Sequence, residues 1–308
     1  MRLWATLLAL MLAGFAVSIF NLHWPTQDLD WRIIESLRIP RAMAAALVGS
    51  MLAVCGLLLQ VLLRNPLAEP YILGLSGGAS VAVMGGAAVG LASHLRSPLA
   101  LMGALISLGL LLLLTRAGRA DPIRLLLTGV LISAAAGAMG SLILTLADPL
   151  RSQASLVWLM GDFAGARISP LWLVVWGVAV FGAARLARVL DTLNRGADVA
   201  ATLGLNLAWL RPGLLLLASV LAAVAVSIAG PIGFVGLVVP HAIRMLAPSA
   251  SHRAWLPLCA IAGAGLLLWA DWLGRWVFDP IQLPAGVVMA VIGIPALLVL
   301  LGRTYAAR

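Results

Sequence analysis

Lysine is absent from this 308-residue chain: all 20 basic side chains are arginine. A phosphate-binding loop of the Walker type sets a lysine on the nucleotide phosphates, so the polypeptide carries no standard ATP site of its own. Charge of either sign is scarce, with 11 acidic residues and 10% charged residues overall, where soluble domains carry about 25%. With 63% apolar residues and a mean hydropathy of +1.08, a soluble domain is excluded and a polytopic membrane protein remains. Cysteine is nearly missing as well. Cys55 and Cys259 both lie inside apolar runs, where a buried small side chain is the expected state and a disulfide is not. No Cys/His cluster has metal-ligand spacing, and no residue is assigned as catalytic or as a metal ligand.

A net charge of +9 would point to nucleic acid in a soluble protein. Here the arginines gather at the ends of apolar runs, where they snorkel to the interface and set orientation. The partner this implies is membrane lipid, not nucleic acid. A helix needs roughly 20 apolar residues to cross a bilayer core of about 30 Å. The gaps between charges give ten such elements: 1–20, 42–63, 71–91, 98–115, 125–147, 170–187, 212–229, a shorter element ending at Arg244, 255–277 and 284–301. The first is longer than a usual signal-peptide core, although Ala13-Gly-Phe-Ala16 offers small residues for cleavage, and it reads as a retained span. Residues 1–308 thus form one transmembrane domain with an all-α fold.

Between these runs, residues 21–37 are polar and lie outside the membrane. Residues 148–169 read as an outer loop with a surface helix near Leu156 to Met160, too short to span. Residues 190–211 form the longest polar segment between spans. From Pro212 to Ile243 no charged residue occurs, and Gly230-Pro-Ile-Gly-Phe-Val-Gly236 breaks the run. Glycine and proline at such a break are tolerated where protein or a water-filled path satisfies the freed backbone. Orientation follows from arginine asymmetry. Thirteen arginines fall on the face with both termini (Arg2, Arg303, Arg308), and only Arg32, Arg38, Arg41, Arg96, Arg151, Arg167 and Arg275 fall opposite. The richer face is the cytoplasmic one.

Four groups of residues stand out. Arg38, Arg41 and Arg275 sit at the outer ends of the second and ninth spans, against the orientation bias. They are either interfacial anchors or a cationic patch for carboxylates of an extracytoplasmic partner. Asp271 lies in an apolar run, where an acid is a functional candidate, yet its spacing from Arg275 favours an intrahelical pair. His241 reads as a structural hydrogen-bonder sooner than a proton relay. Leu193 to Asn206 reads as a short helix between spans: Asn194 as a cap, Asp198 in the first turn, Gly204 as the stop. That is a compact knob for a cytoplasmic partner, or an ordinary linker. Glycines spaced closely, Gly74 with Gly78, Gly86 with Gly90 and Gly137 with Gly140, let helices approach in lipid.

Several long motifs resemble, in the same order, the permease subunits of bacterial ABC importers for iron-siderophore complexes, haem and vitamin B12. They are Arg38-Ile-Pro-Arg41, Arg64-Asn-Pro-Leu-Ala-Glu-Pro70 with Gly74-Leu-Ser-Gly-Gly-Ala79, Gly196 to Gly204, Gly233 to Arg244, and Leu283-Pro-Ala-Gly-Val-Val288. The resemblance implies a type II importer permease of about ten transmembrane helices, forming a homodimer around a central pathway in the bacterial inner membrane. It implies two ATP-binding cassette ATPase subunits below, carrying ATP and Mg, and a periplasmic substrate-binding protein above. No cofactor is implied in this chain. Arg38, Arg41 and Arg275 match the arginines that meet the binding protein. Gly196, Ala197, Asp198, Ala200, Leu203, Gly204 and Leu205 match the ATPase-coupling helix, within a cytoplasmic loop of 191–211, and Asn65 and Leu67 match the cytoplasmic gate.

There are departures. Ala197 stands where the family has an acid, and Gln282 replaces the common glutamate before Leu-Pro. Asp121-Pro122-Ile123 differs from the small polar gate residues of vitamin B12 members and argues against cobalamin. A ferric siderophore is the expected cargo, with haem or cobalamin the alternatives. An ion-gradient-driven secondary transporter is the competing reading, with Asp271 and His241 its only serious candidates for ionisable groups on the path. An intramembrane enzyme has no converging residue set behind it.

Overall fold

The computed structural model describes residues 2–20, 31–115, 122–166 and 168–306, and among these every regular element is helical. α1 (Arg2–Phe20) is followed by α2 (Trp31–Ile33), a single turn that passes through π-helical residues 34–38 into α3 (Ile39–Leu63). Then come α4 (Leu75–Ala88), α5 (Arg96–Thr115), α6 (Pro122–Leu146), the surface helix α7 (Pro149–Leu159) and α8 (Pro170–Arg185). The second half holds α9 (Ala187–Arg195), α10 (Ala197–Thr202), α11 (Leu207–Ala229), α12 (Val235–Leu246), α13 (His252–Trp276) and α14 (Ala285–Ala306).

Five helical stretches are long and apolar enough to cross a bilayer: Trp31–Leu63, Ser93–Thr115, Pro122–Leu146, Leu207–Ala229 and His252–Trp276. The pair α8 and α9, bent by 57°, is a further candidate, and the remaining apolar runs form shorter helices. Each of the ten predicted elements is therefore matched by an apolar helix, and some of these helices depart from the bounds of the apolar run. The third is the clearest case. Its run covers 71–91, but Pro70–Leu73 form a 3-10 turn, Gly74 takes a left-handed φ of +79°, and α4 has only 14 residues. At 1.5 Å per residue this is about 21 Å, short of a full crossing.

α3 is the axis of the molecule. Its membrane window is 94% buried, and it packs against α11, α12 and α13. Small residues permit that density: Gly49 lies against the backbone of Gly263, and Gly56 against that of Gly236. Cys55 donates its Sγ proton to the carbonyl of Ala218 at 3.0 Å, and both cysteines are free and buried. Of the glycine pairs singled out from spacing, Gly78 packs on Gly103 and Ser107, Gly86 on Leu99 and Gly140 on Met84. Gly137 faces open space.

Boundaries shift where polar residues continue a helix. α11 starts at Leu207, before the predicted 212, because Asn206 accepts the Ala208 N–H at 3.1 Å and caps it; Pro212 falls inside the helix. The segment after α8 is not one long linker. α9 is amphipathic and buries Ala187, Leu190 and Leu193 against α3 and α13. The helix expected within residues 148–169 is present as α7, longer than its apolar part. Arg116, Arg119, Asp121, Arg167, Arg308 and residues 21–30 lie outside the described residues.

Candidate functional site

At its C-terminal end α3 closes with Arg64 in a left-handed conformation (φ +49°). Asn65 Oδ1 accepts the Leu67 N–H at 2.9 Å, an Asx turn that leaves Leu67 exposed at the tip. Asn65 and Leu67 thus follow directly on the C-terminal end of the most buried helix.

The knob sits beside this turn. Its helix α10 is capped by Gly196, whose φ of +139° no L side chain holds without strain. Asn194 belongs to the last turn of α9, so the expected Asn194 cap is corrected to the glycine backbone. The helix stops as the sequence suggested. Leu205 N–H bonds the Ala200 carbonyl at 3.0 Å and Gly204 N–H the Ala201 carbonyl at 2.9 Å, the paired C-terminal bonds of a Schellman motif about Gly204 (φ +81°). Ala200 is fully buried and fixes the knob to the body, while Asp198 and Val199 face outward and Leu203 is 66% exposed.

At the opposite end of α3 the arginines are drawn together, each with work inside the chain. Arg41 Nε donates to Asp271 at 2.9 Å, its Nη2 to Asp162 at 3.2 Å, and its Nη1 to Gln282 at 3.1 Å. Arg275 pairs with Asp271 at 3.2 Å, the i,i+4 pair the spacing predicted. Arg275 and Arg38 also donate to the carbonyls of Ser18 and Ile19, at 3.5 and 3.3 Å, closing the C-terminal end of α1. Asp271 is 1% exposed, Arg41 14% and Arg275 10%. This is a largely buried acid–arginine network, not a bare cationic patch. Asp162 and Gln282 were missed as parts of it, since only the fold brings residues 41, 162 and 282 into contact.

The break before α12 is closed by protein. Glu69 accepts the Phe234 N–H, Tyr71 Oη accepts the Ile232 N–H at 2.6 Å, and Gln60 Nε2 donates to the Gly236 carbonyl at 3.0 Å. Gln60 Oε1 in turn accepts from Arg244. Phe234 sits at a φ of +69°, and Gly161 and Gly230 turn beside it so that Asp162 N–H reaches the Ala229 carbonyl at 2.9 Å. Truncation of Glu69 to Ala leaves a buried amide unpaired and should cost about 1–3 kcal/mol. A lower unfolding midpoint for Glu69→Ala than for Glu69→Gln, which keeps an acceptor oxygen, checks this; equal midpoints refute it. His241 is buried within α12. Among the described residues no three His, Cys, Asp or Glu side chains are grouped to hold a metal ion.

The structure thus sets a braced knob beside the turn that ends a buried axis, in a chain of apolar helices without a lysine. In comparison with known proteins, the FecCD transport family matches residues 2–303. The chain belongs to the FecCD transport family. Its relatives include the vitamin B12 import system permease protein of Vibrio cholerae, 38% identical over 290 residues, covering 90% of this chain and 85% of the relative. The hemin transport system permease protein of Yersinia pestis is 37% identical with the same coverage. The achromobactin transport system permease protein of Dickeya dadantii is 37% identical over 96% of this chain and 88% of its own. A solved metal-chelate-type ABC transporter in an inward-facing conformation superimposes with a TM-score of 0.88 at 28% identity, covering 98% of this chain and 99% of that one. The FecCD chain described here is thus a multi-pass membrane permease of the ABC transporter class.

Proposed function

We propose that this chain is the permease subunit of an ATP-driven importer that moves a large metal chelate across the bacterial inner membrane. The observation that carries it is the knob from Gly196 to Leu205, fixed at Ala200 and presenting Leu203, in a chain related along its length to three import permeases. Two ATP-binding cassette subunits, holding ATP and Mg, seat under the knob with both termini on the same side. A binding protein delivers cargo at the arginine end. Arg38 is the one of the three that holds no carboxylate, bonding only the Ile19 carbonyl among the described residues, whereas Arg41 and Arg275 are occupied by Asp271.

A second copy of the chain completes the pathway. α6 supports this: only 11% of its membrane window is buried, and Ala134, Ala135, Gly137 and Ala138 lie exposed along it. Small exposed residues in mid-membrane suit a close helix neighbour better than lipid tails. The cargo is a chelate of the kind the relatives' names span, a ferric siderophore first, with haem and cobalamin the alternatives.

The gradient-driven alternative loses its main residue, since Asp271 is locked between two arginines at the outer end. Reconstitution with the cognate ATPase and binding protein decides between them. Leu203→Asp should cut ATP-dependent uptake about tenfold or more, the scale of a lost interface anchor of roughly 1.4 kcal/mol or above, with the permease still folded. Uptake driven by an ion gradient with no ATPase present would overturn the proposal.

A further inference from the structure

Beneath the knob a pocket of about 400 Å³ opens, with Gln60, Arg64, Asn194, Arg195, Arg244 and His252 among its lining residues. Its walls come from four places in the fold: the inner turn of α3, the end of α9 at the root of the knob, α12 and the start of α13. Three guanidinium groups face one cavity. Among the described residues neither Arg64 nor Arg195 forms an ion pair, and Arg244 has only the neutral amide oxygen of Gln60. The one carboxylate nearby, Asp191, is engaged by His252 Nδ1 at 2.6 Å and by the His252 N–H at 3.0 Å.

His252 supplies an independent sign of a ligand. Its side chain is 1% exposed, and Nε2, across the ring from Asp191, is buried with no hydrogen-bond partner. A buried polar atom left unpaired at the wall of a cavity is costly unless something in the cavity completes it. Three like charges around the same space are costly for the same reason, and an anion relieves both. Arginine forks match the oxygens of a phosphate in pairs, and cytoplasmic-side basic pockets between membrane helices suit anionic headgroups.

We propose that this pocket binds a phosphate group, supplied by an anionic phospholipid of the inner leaflet or by a soluble phosphate ester. Arg64, Arg195 and Arg244 hold its oxygens, and His252, protonated when the anion is bound, donates its Nε2 proton to it from the buried side. A phosphate there joins the Asn65–Leu67 turn to the root of the knob, and so stiffens the joint through which movement of one reaches the other. Binding requires neither cargo nor ATPase, so it is tested separately from the transport reading.

The test uses the full chain in uncharged detergent, followed by tryptophan fluorescence during heating. Inorganic phosphate, compared with sodium chloride at equal ionic strength, should raise the unfolding midpoint saturably. The double variant Arg64→Gln, Arg195→Gln should need at least tenfold more phosphate for the same rise, while unfolding as cooperatively as the parent. Native mass spectrometry with phosphatidylglycerol against phosphatidylcholine distinguishes the sources. Retention of phosphatidylglycerol that the double variant loses, without an effect of free phosphate, assigns the site to lipid. A phosphate effect without lipid preference assigns it to a soluble ester. No saturable phosphate effect together with equal retention of both lipids overturns the proposal, as does binding the double variant leaves unchanged.

Discussion

Asp271→Asn should lower the stability of the folded chain by about 3–5 kcal/mol, the usual loss when one member of a buried charge network is removed. Asp271 is 1% exposed, and its two oxygens serve Arg41 at 2.9 Å and Arg275 at 3.2 Å. The neutral amide leaves both guanidinium groups short of a counter-charge where water does not reach freely. Asp162→Asn is the comparison. That side chain is 21% exposed and meets Arg41 through one oxygen at 3.2 Å, so its loss should cost about 1 kcal/mol or less. Thermal unfolding in detergent reads both. If the two variants unfold together, the network does not bear on stability as described. The same geometry bears on docking experiments. A glutamate at Arg41 would face Asp162 and Asp271 and damage the fold, whereas reversal at Arg38 leaves every ion pair intact.

What the sequence made legible is what short spacing encodes. The Asp271–Arg275 pair lies four residues apart on one helix, and the knob is bracketed by two glycines whose left-handed φ values no other residue adopts easily. The helices themselves follow from long gaps between charges, because lipid leaves the backbone few other ways to pair its polar groups. The contacts that tie these pieces together were hidden. Arg41 reaches Asp162 across 121 residues and Glu69 reaches Phe234 across 165, and no local pattern marks either. An apolar run also does not reveal where its helix begins. Residues 70–74 are as apolar as α4 but turn through a 3-10 stretch to a left-handed glycine. Residues 187–195 look like a polar linker, yet Leu190 and Leu193 at helical spacing press that segment onto the body.

Gly56→Val should prevent the chain from reaching its folded state in useful yield. A side chain at position 56 would land inside the backbone carbonyl of Gly236, with the rest of that residue's backbone beside it. Backbone does not swing aside as a flexible side chain can. Relief would require α12 to move off α3, and α12 is held there by Gln60, which bonds the Gly236 carbonyl and accepts from Arg244. Overpacking of a dense interior costs about 1–3 kcal/mol where neighbours can repack, and more where they cannot. Here the loss should therefore exceed about 3 kcal/mol. Gly137→Val on α6 is the matched control, because nothing lies within 4 Å of a side chain placed there. It should leave the folded yield of the monomer unchanged. Loss of a dimer in that control, with the monomer intact, would put the second copy against α6. Recovery of folded, monodisperse Gly56→Val protein at the parent's yield would mean that α3 and α12 are not packed backbone to backbone.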